Sequence, residues 1–165
     1  MKFLKLEAEL IVCTNEELDL IEQELISQAR KAAENAYSIY SNFSVGCAIL
    51  LENREIISAN NQENASYPAG ACAEKIALMY ANANYPHVPV IAISITAQSN
   101  GKFTKSPVTP CGICRQVILE CENRFHQPIK LYLAGMNEIY IINTVKDILP
   151  LHFNNHFLST STKEK

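Results

Sequence analysis

With 165 residues, 48% of them apolar and 19% charged, the chain is expected to fold around one sizeable core, and disorder is excluded. A formal net charge of -3 without a Lys/Arg run argues against a nucleic-acid partner, because phosphate contacts normally demand a basic patch. No apolar run approaches the roughly 20 residues that span a bilayer, and Met1-Lys2-Phe3-Leu4-Lys5-Leu6-Glu7 lacks the apolar stretch of a secretory leader, so no membrane partner and a cytoplasmic location are expected.

Leu4 to Val12 alternates apolar and charged residues and predicts a strand, so that 1–14 reads as an N-terminal extension strand. Thr14 or Asn15 is placed to cap a helix whose apolar stripe, Leu18, Ile21, Leu25, Ala29 and Ala32, runs to about Tyr37. Tyr40 to Phe43 reads as a loop. Ser44 to Leu51 and Glu55 to Asn60 read as strands joined in a hairpin through Glu52-Asn53-Arg54. Tyr67-Pro68-Ala69-Gly70 breaks the chain before a helix from Cys72 to Ala83, with Ile76, Ala77, Met79 and Tyr80 on its buried or partly buried faces.

Val88 to Ala97 is a strand rich in Ile and Val, ended by the Asn100-Gly101 turn. Pro107 to Pro110 forms a rigid approach to a second helix, Cys111 to Asn123, with a stripe of Ile113, Val117, Ile118 and Cys121. Ile129 to Leu133 and Glu138 to Ile142 are strands, and residues 158–165 read as a polar, flexible tail. The order implies an α/β three-layer sandwich, with a mixed five-stranded sheet flanked by helices: a hairpin first, then parallel additions through helical crossovers. The whole chain, 1–165, reads as one domain.

Six cysteines suggest a disulfide scaffold only in a short secreted chain. Here Cys111 and Cys114 have the C-x-x-C spacing that lets two thiolates hold one metal, and taken alone a structural zinc or a redox pair is the common reading. Cys72 offers a third ligand, and Glu74 lies two residues beyond it. Three protein ligands plus an unbound carboxylate make a catalytic zinc inventory, one position being left for water. Both motifs open helices, where unpaired N–H groups and the dipole favour thiolates at Cys72, Cys111 and Cys114. Three thiolates around Zn²⁺ carry a net charge of about -1, which weakens its Lewis acidity. Lys75 and Arg115 are candidate donors to sulfur that would restore it. Cys13, Cys47 and Cys121 read as buried small hydrophobes, and His87, His126, His152 and His156 have no ligand spacing with the cysteines.

Phe43-Ser44-Val45-Gly46, Asn61-Gln62-Glu63-Asn64-Ala65, Cys72-Ala73-Glu74, Pro110-Cys111-Gly112-Ile113-Cys114-Arg115-Gln116 and Leu149-Pro150-Leu151-His152-Phe153 together resemble the cytidine deaminase family, in its small homotetrameric three-cysteine class. The resemblance implies one Zn²⁺ per chain on Cys72, Cys111 and Cys114. It implies that Glu74 takes a proton from the attacking water and delivers it to the pyrimidine N3, in a pyrimidine-salvage reaction on cytidine and deoxycytidine. It also implies that Asn61 and Glu63 bind the ribose, that Phe43 packs on the substrate, and that the Ala73 N–H meets the pyrimidine carbonyl. Phe153 would reach a neighbouring subunit's site, so a homotetramer, or a dimer, with a free nucleoside as substrate is expected. The family usually has arginine where this chain has Lys75, a point charge without arginine's planar fork.

Rival readings are a deaminase of another free nucleoside, of an antibiotic nucleoside such as blasticidin S, or of a nucleobase. A nucleic-acid editor is disfavoured by the acidic balance, and a structural zinc or interaction module stands outside catalysis altogether.

Overall fold

In a computed structural model, described here over residues 1–158, strands β1 (Ile11–Cys13), β2 (Phe43–Leu51), β3 (Ile56–Asn60), β4 (Val90–Ser99), β5 (Lys102–Phe103), β6 (Lys130–Ala134) and β7 (Ile139–Ile142) form one sheet. The helices are α1 (Leu20–Glu34), α2 (Ala73–Asn84) and α3 (Gly112–Phe125). The sheet order is β1-β7-β6-β4-β2-β3, with β5 hairpinned onto β4, so the mixed sheet has seven strands where five were expected. Alternation along β2 divides the interior. Ala48 and Leu50 pack under α1 with Leu25, Ile26 and Ala29, while Cys47, Ile49 and Leu51 face Ala77 and Leu78 of α2 and Ile118 and Leu119 of α3. The three expected layers are present.

Four expectations are corrected by tertiary context. First, residues 1–10 form no strand. β1 pairs antiparallel with β7, Ile11 facing Ile141 and Cys13 facing Ile139, so earlier residues run past the end of β7 and find no partner. Second, α1 is capped by Asp19, not by Thr14 or Asn15. Asp19 accepts from the Glu22 N–H (2.9 Å) while Glu22 accepts from the Asp19 N–H (3.1 Å), and Thr14 instead opens a single 3₁₀ turn. The helix stops at Glu34 because the Tyr37 backbone is taken by Asn61 and Glu63.

Third, among the strands β1–β7 only β4 and β6 are parallel neighbours. The α2 crossover does join two strands running the same way, β3 and β4, but they flank β2 and each pairs with it antiparallel. Fourth, Met79 and Tyr80 of α2 and Ile113 of α3 are exposed, the buried positions being taken by Leu78 and Leu119. Cys47 and Cys121 are buried as expected and Cys13 is half-buried. Among the described residues no helix is long and apolar enough to cross a membrane. The expected tail lies, except for Leu158, outside the described residues.

A polar clasp joins α1 to β6. The Glu22 carboxylate accepts from Lys130 Nζ (3.0 Å), the Tyr132 hydroxyl and the Asp19 N–H. Burial alone would raise the Glu22 pKa, but the Tyr132, Lys130 and Asp19 hydrogen bonds outweigh it and hold it below the usual carboxylate range. A depressed folded value means stability that is present above the unfolded pKa and lost as pH falls through the folded one. Glu22→Gln is expected to remove about 1.5 kcal/mol near pH 7, roughly 3–6 °C in Tm for a chain this long. The gap from wild type should close as pH falls below about 4. Thermal melts across that range check it.

Candidate active site

β2, β4, α2, α3 and the chain that follows β3 converge on a pocket of about 750 Å³. Cys72 is the N-cap of α2 and Cys111 the N-cap of α3, with Cys114 in the first turn of α3. Two helix starts therefore point their free N–H groups at one spot. The Sγ atoms of the three cysteines lie within 4.8 Å of one another, and none of the six cysteines is in a disulfide. A tetrahedral zinc with sulfurs at ~2.3 Å needs S···S edges of about 3.8 Å, so this donor set fits one ion with one corner left for a non-protein ligand.

The electrostatics are less even than the helix starts alone suggested. Burial pushes the Cys111 thiol up, but the Cys114 and Ile113 N–H groups and the neighbouring thiols outweigh it and hold it below the ordinary thiol range. Cys72 is raised by burial and by the charge of Cys111 and Glu74, and Cys114 is pushed far up by burial and by Glu74 and Cys72. Mutual repulsion lets the bare cluster hold one thiolate readily, and a divalent cation is the partner that would deprotonate the rest. Glu74, only 4% exposed, sits in the first turn of α2 and lines the pocket. Burial raises its pKa, partly offset by its own N–H and by Cys114. Ala73 is fully buried between the two.

Another part of the pocket wall is built where the chain leaving β3 meets the start of β2. Asn61 accepts from the Val45 N–H (2.7 Å) and donates to the Phe43 carbonyl (3.0 Å), extending the ladder with a side chain. The Glu63 carboxylate takes the Tyr40 N–H (2.8 Å), the Ser41 N–H (3.3 Å) and the Ser41 hydroxyl. The Ser41 hydroxyl and the Tyr40 N–H lower its pKa. Phe43, Asn61, Glu63, Cys72, Glu74, Lys75 and Cys111 thus share one pocket. Phe153 does not join them: it is exposed, stacked on Phe157, with its carbonyl held by Gln116 Nε2 (2.9 Å).

Sequence reasoning missed Tyr40, Ser41, Tyr67 and Thr109, which also line the pocket. Tyr40 and Tyr67 meet edge-on at 6.2 Å. Their only signal was their place in loops next to the motifs. Arg115 is no sulfur donor. Its guanidinium is spent on the Pro110 carbonyl (2.8 Å), the Ile148 carbonyl (2.7 Å) and the Thr109 hydroxyl (3.3 Å).

Residues 20–126 match the family model described as "Cytidine and deoxycytidylate deaminase zinc-binding region". A cytidine deaminase from Halalkalibacterium halodurans is 40% identical over 129 residues, covering 78% of this chain and 90% of that protein. One from Sporosarcina psychrophila is 34% identical over 142 residues, covering 86% and 98%. The crystal structure of cytidine deaminase from Burkholderia pseudomallei superposes with a TM-score of 0.68 at 34% identity, covering 79% of this chain and 97% of that one.

Proposed function

This chain belongs to the cytidine and deoxycytidylate deaminase family, and on that premise we propose that it hydrolyses free cytidine and deoxycytidine to uridine and deoxyuridine with release of ammonia. The observation that carries this reading is a buried carboxylate, Glu74, in the wall of a nucleoside-sized pocket beside a cluster of three thiols. Cys72, Cys111 and Cys114 would hold one zinc ion, whose Lewis acidity makes water nucleophilic near neutral pH.

Glu74 takes the proton of the attacking water and passes it to N3 of the ring. It then shuttles the second proton to the departing amine, so that ammonia leaves and the ring carbonyl forms. Its burial favours the protonated form, which suits a group that must hold and return a proton. Asn61 and Glu63 offer an amide and a carboxylate to the sugar hydroxyls, and Phe43 offers a ring to the base. The Ala73 N–H at the start of α2 is a donor for the ring carbonyl. Among the described residues Lys75 is the one cation lining the pocket, placed where the family usually has arginine.

The proposed protein is a single domain, working in pyrimidine salvage in a reducing cytoplasm where metal-binding thiols stay unoxidised. A homotetramer is part of the proposal. Met79, Tyr80, Ile113 and Phe153 are large apolar side chains exposed on the single chain, and assembly would cover them and bring Phe153 to a neighbour's pocket.

The test is an absorbance assay with cytidine, deoxycytidine, cytosine and blasticidin S, before and after chelation, with light scattering for the assembly. Cytidine and deoxycytidine are expected to turn over, with activity lost on chelation and regained with zinc. Turnover confined to blasticidin S or cytosine, or unaffected by complete zinc removal, would overturn the assignment.

A further inference from the structure

We propose that Arg115 is a positioning residue that locks the metal loop by anchoring it to the C-terminal segment, so that retention of the metal depends on that anchorage. The inference rests on the zinc reading above. The loop Thr109-Pro110 leads directly into Cys111, the most exposed of the three clustered cysteines. It carries no regular secondary structure of its own. Pro110 is buried, and both residues are hydrogen-bonded by one guanidinium at the start of α3. Nε donates to the Pro110 carbonyl at 2.8 Å and Nη2 to the Thr109 hydroxyl at 3.3 Å, while Nη1 reaches the Ile148 carbonyl at 2.7 Å. A planar fork with donors on three sides can make these bonds at once, and a lysine ammonium cannot match the geometry.

The anchor point is itself fixed. Glu122, two turns further along α3 and 2% exposed, accepts from the Val145 N–H (3.0 Å) and the Thr144 hydroxyl (2.9 Å). Gln116 donates to the Phe153 carbonyl. One flank of α3 therefore grips residues 144–153 at three places, and the Arg115 grip on Ile148 doubles as the clamp on the loop before Cys111. The clamp acts on two backbone carbonyls and a hydroxyl and touches no sulfur, so its effect is on where Cys111 sits and not on the electron richness of the cluster.

The test uses the zinc-loaded enzyme and reads zinc release to a chromogenic chelator, alongside kcat and KM with zinc in excess. Arg115→Ala is expected to release zinc about 10–100-fold faster, the usual consequence of losing an outer support of a metal site. Arg115→Lys should recover little of that loss. With excess zinc both variants should keep kcat within about threefold of wild type. Gln116→Ala, which leaves the loop clamp intact, should release zinc within twofold of wild type.

Wild-type release from Arg115→Ala would overturn the proposal. So would full rescue by Arg115→Lys, or a kcat that stays tenfold down with the metal site full, since those outcomes assign the arginine to charge or to chemistry. Should Arg115→Ala fail to fold, Thr109→Val removes one arm of the clamp, and release no faster than wild type from it and from Arg115→Lys would count against the proposal equally. Failure of the deaminase reading would look different: wild-type protein that binds no zinc or turns over no cytidine.

Discussion

Glu74→Gln is expected to lower kcat on cytidine by on the order of 10³-fold while leaving one zinc per chain, because general acid–base catalysis contributes roughly 10²–10⁴. Glutamine has the shape of glutamate and can fill the same 4% exposed place in the first turn of α2. It cannot take a proton and give it back. The carboxylate lies outside the group of three sulfurs that would bind the metal, so zinc content should not change. Burial raises the Glu74 pKa above the ordinary carboxylate value, and glutamine removes that buried charge, so the variant should be no less thermally stable than wild type. Turnover within tenfold of wild type, at full zinc occupancy, would remove Glu74 from the proton-transfer role.

Gly46→Ala is expected to cost about 3 kcal/mol or more, at the upper end of overpacking effects, which is roughly 6–12 °C in Tm. A Cβ at Gly46 would stand 1.9 Å from the Ala29 carbonyl oxygen, 2.6 Å from the Ala33 nitrogen and 2.9 Å from the Ala33 Cβ. The obstacle is helix backbone, which no rotamer change can move aside. α1 would have to lift off β2, pulling Leu25, Ile26 and Ala29 out of the core they share with Ala48 and Leu50. The damage should also reach the pocket, because Val45, next in the strand, lines it and is held by Asn61. Calorimetry of the zinc-loaded variant checks the first effect, and a raised KM for cytidine in whatever folds checks the second.

The grouping of residues around the pocket was legible where it depends on residue type and short spacing. Cys72 and Glu74 are two apart, and Cys111 and Cys114 three apart, so each pair keeps its geometry once a helix starts there. The hairpin of β2 and β3, the strand β4 and the three helices were legible for the same reason: hydrophobic period and turn residues are local properties. Helix faces were read less well. Met79, Tyr80 and Ile113 fit an apolar stripe in one dimension, yet the sheet below each helix is met by Leu78 and Leu119 instead.

Arg115 marks the boundary most clearly. Its place directly after a motif cysteine suggested a bond to sulfur, but its partners are the Pro110 and Ile148 carbonyls, the second of them 33 residues away. Leu4 to Leu10 marks it too. Their alternation is that of a strand, but a strand needs a partner, and β7 ends at Ile142.

The sequence by itself determined which atoms are available for chemistry: three thiols, one carboxylate beside them, and a further amide and carboxylate, all set within short motifs. Only the tertiary structure decided that these motifs, up to 68 residues apart between Phe43 and Cys111, share one pocket. It also decided that Asn61 and Glu63 spend hydrogen bonds shaping that pocket's rim, and that Arg115 bonds the loop before Cys111 and leaves the sulfurs untouched. The reason is physical. Local spacing fixes a side chain relative to its own helix or turn, whereas a partner across the fold is chosen by how layers pack and which backbone groups they leave unpaired.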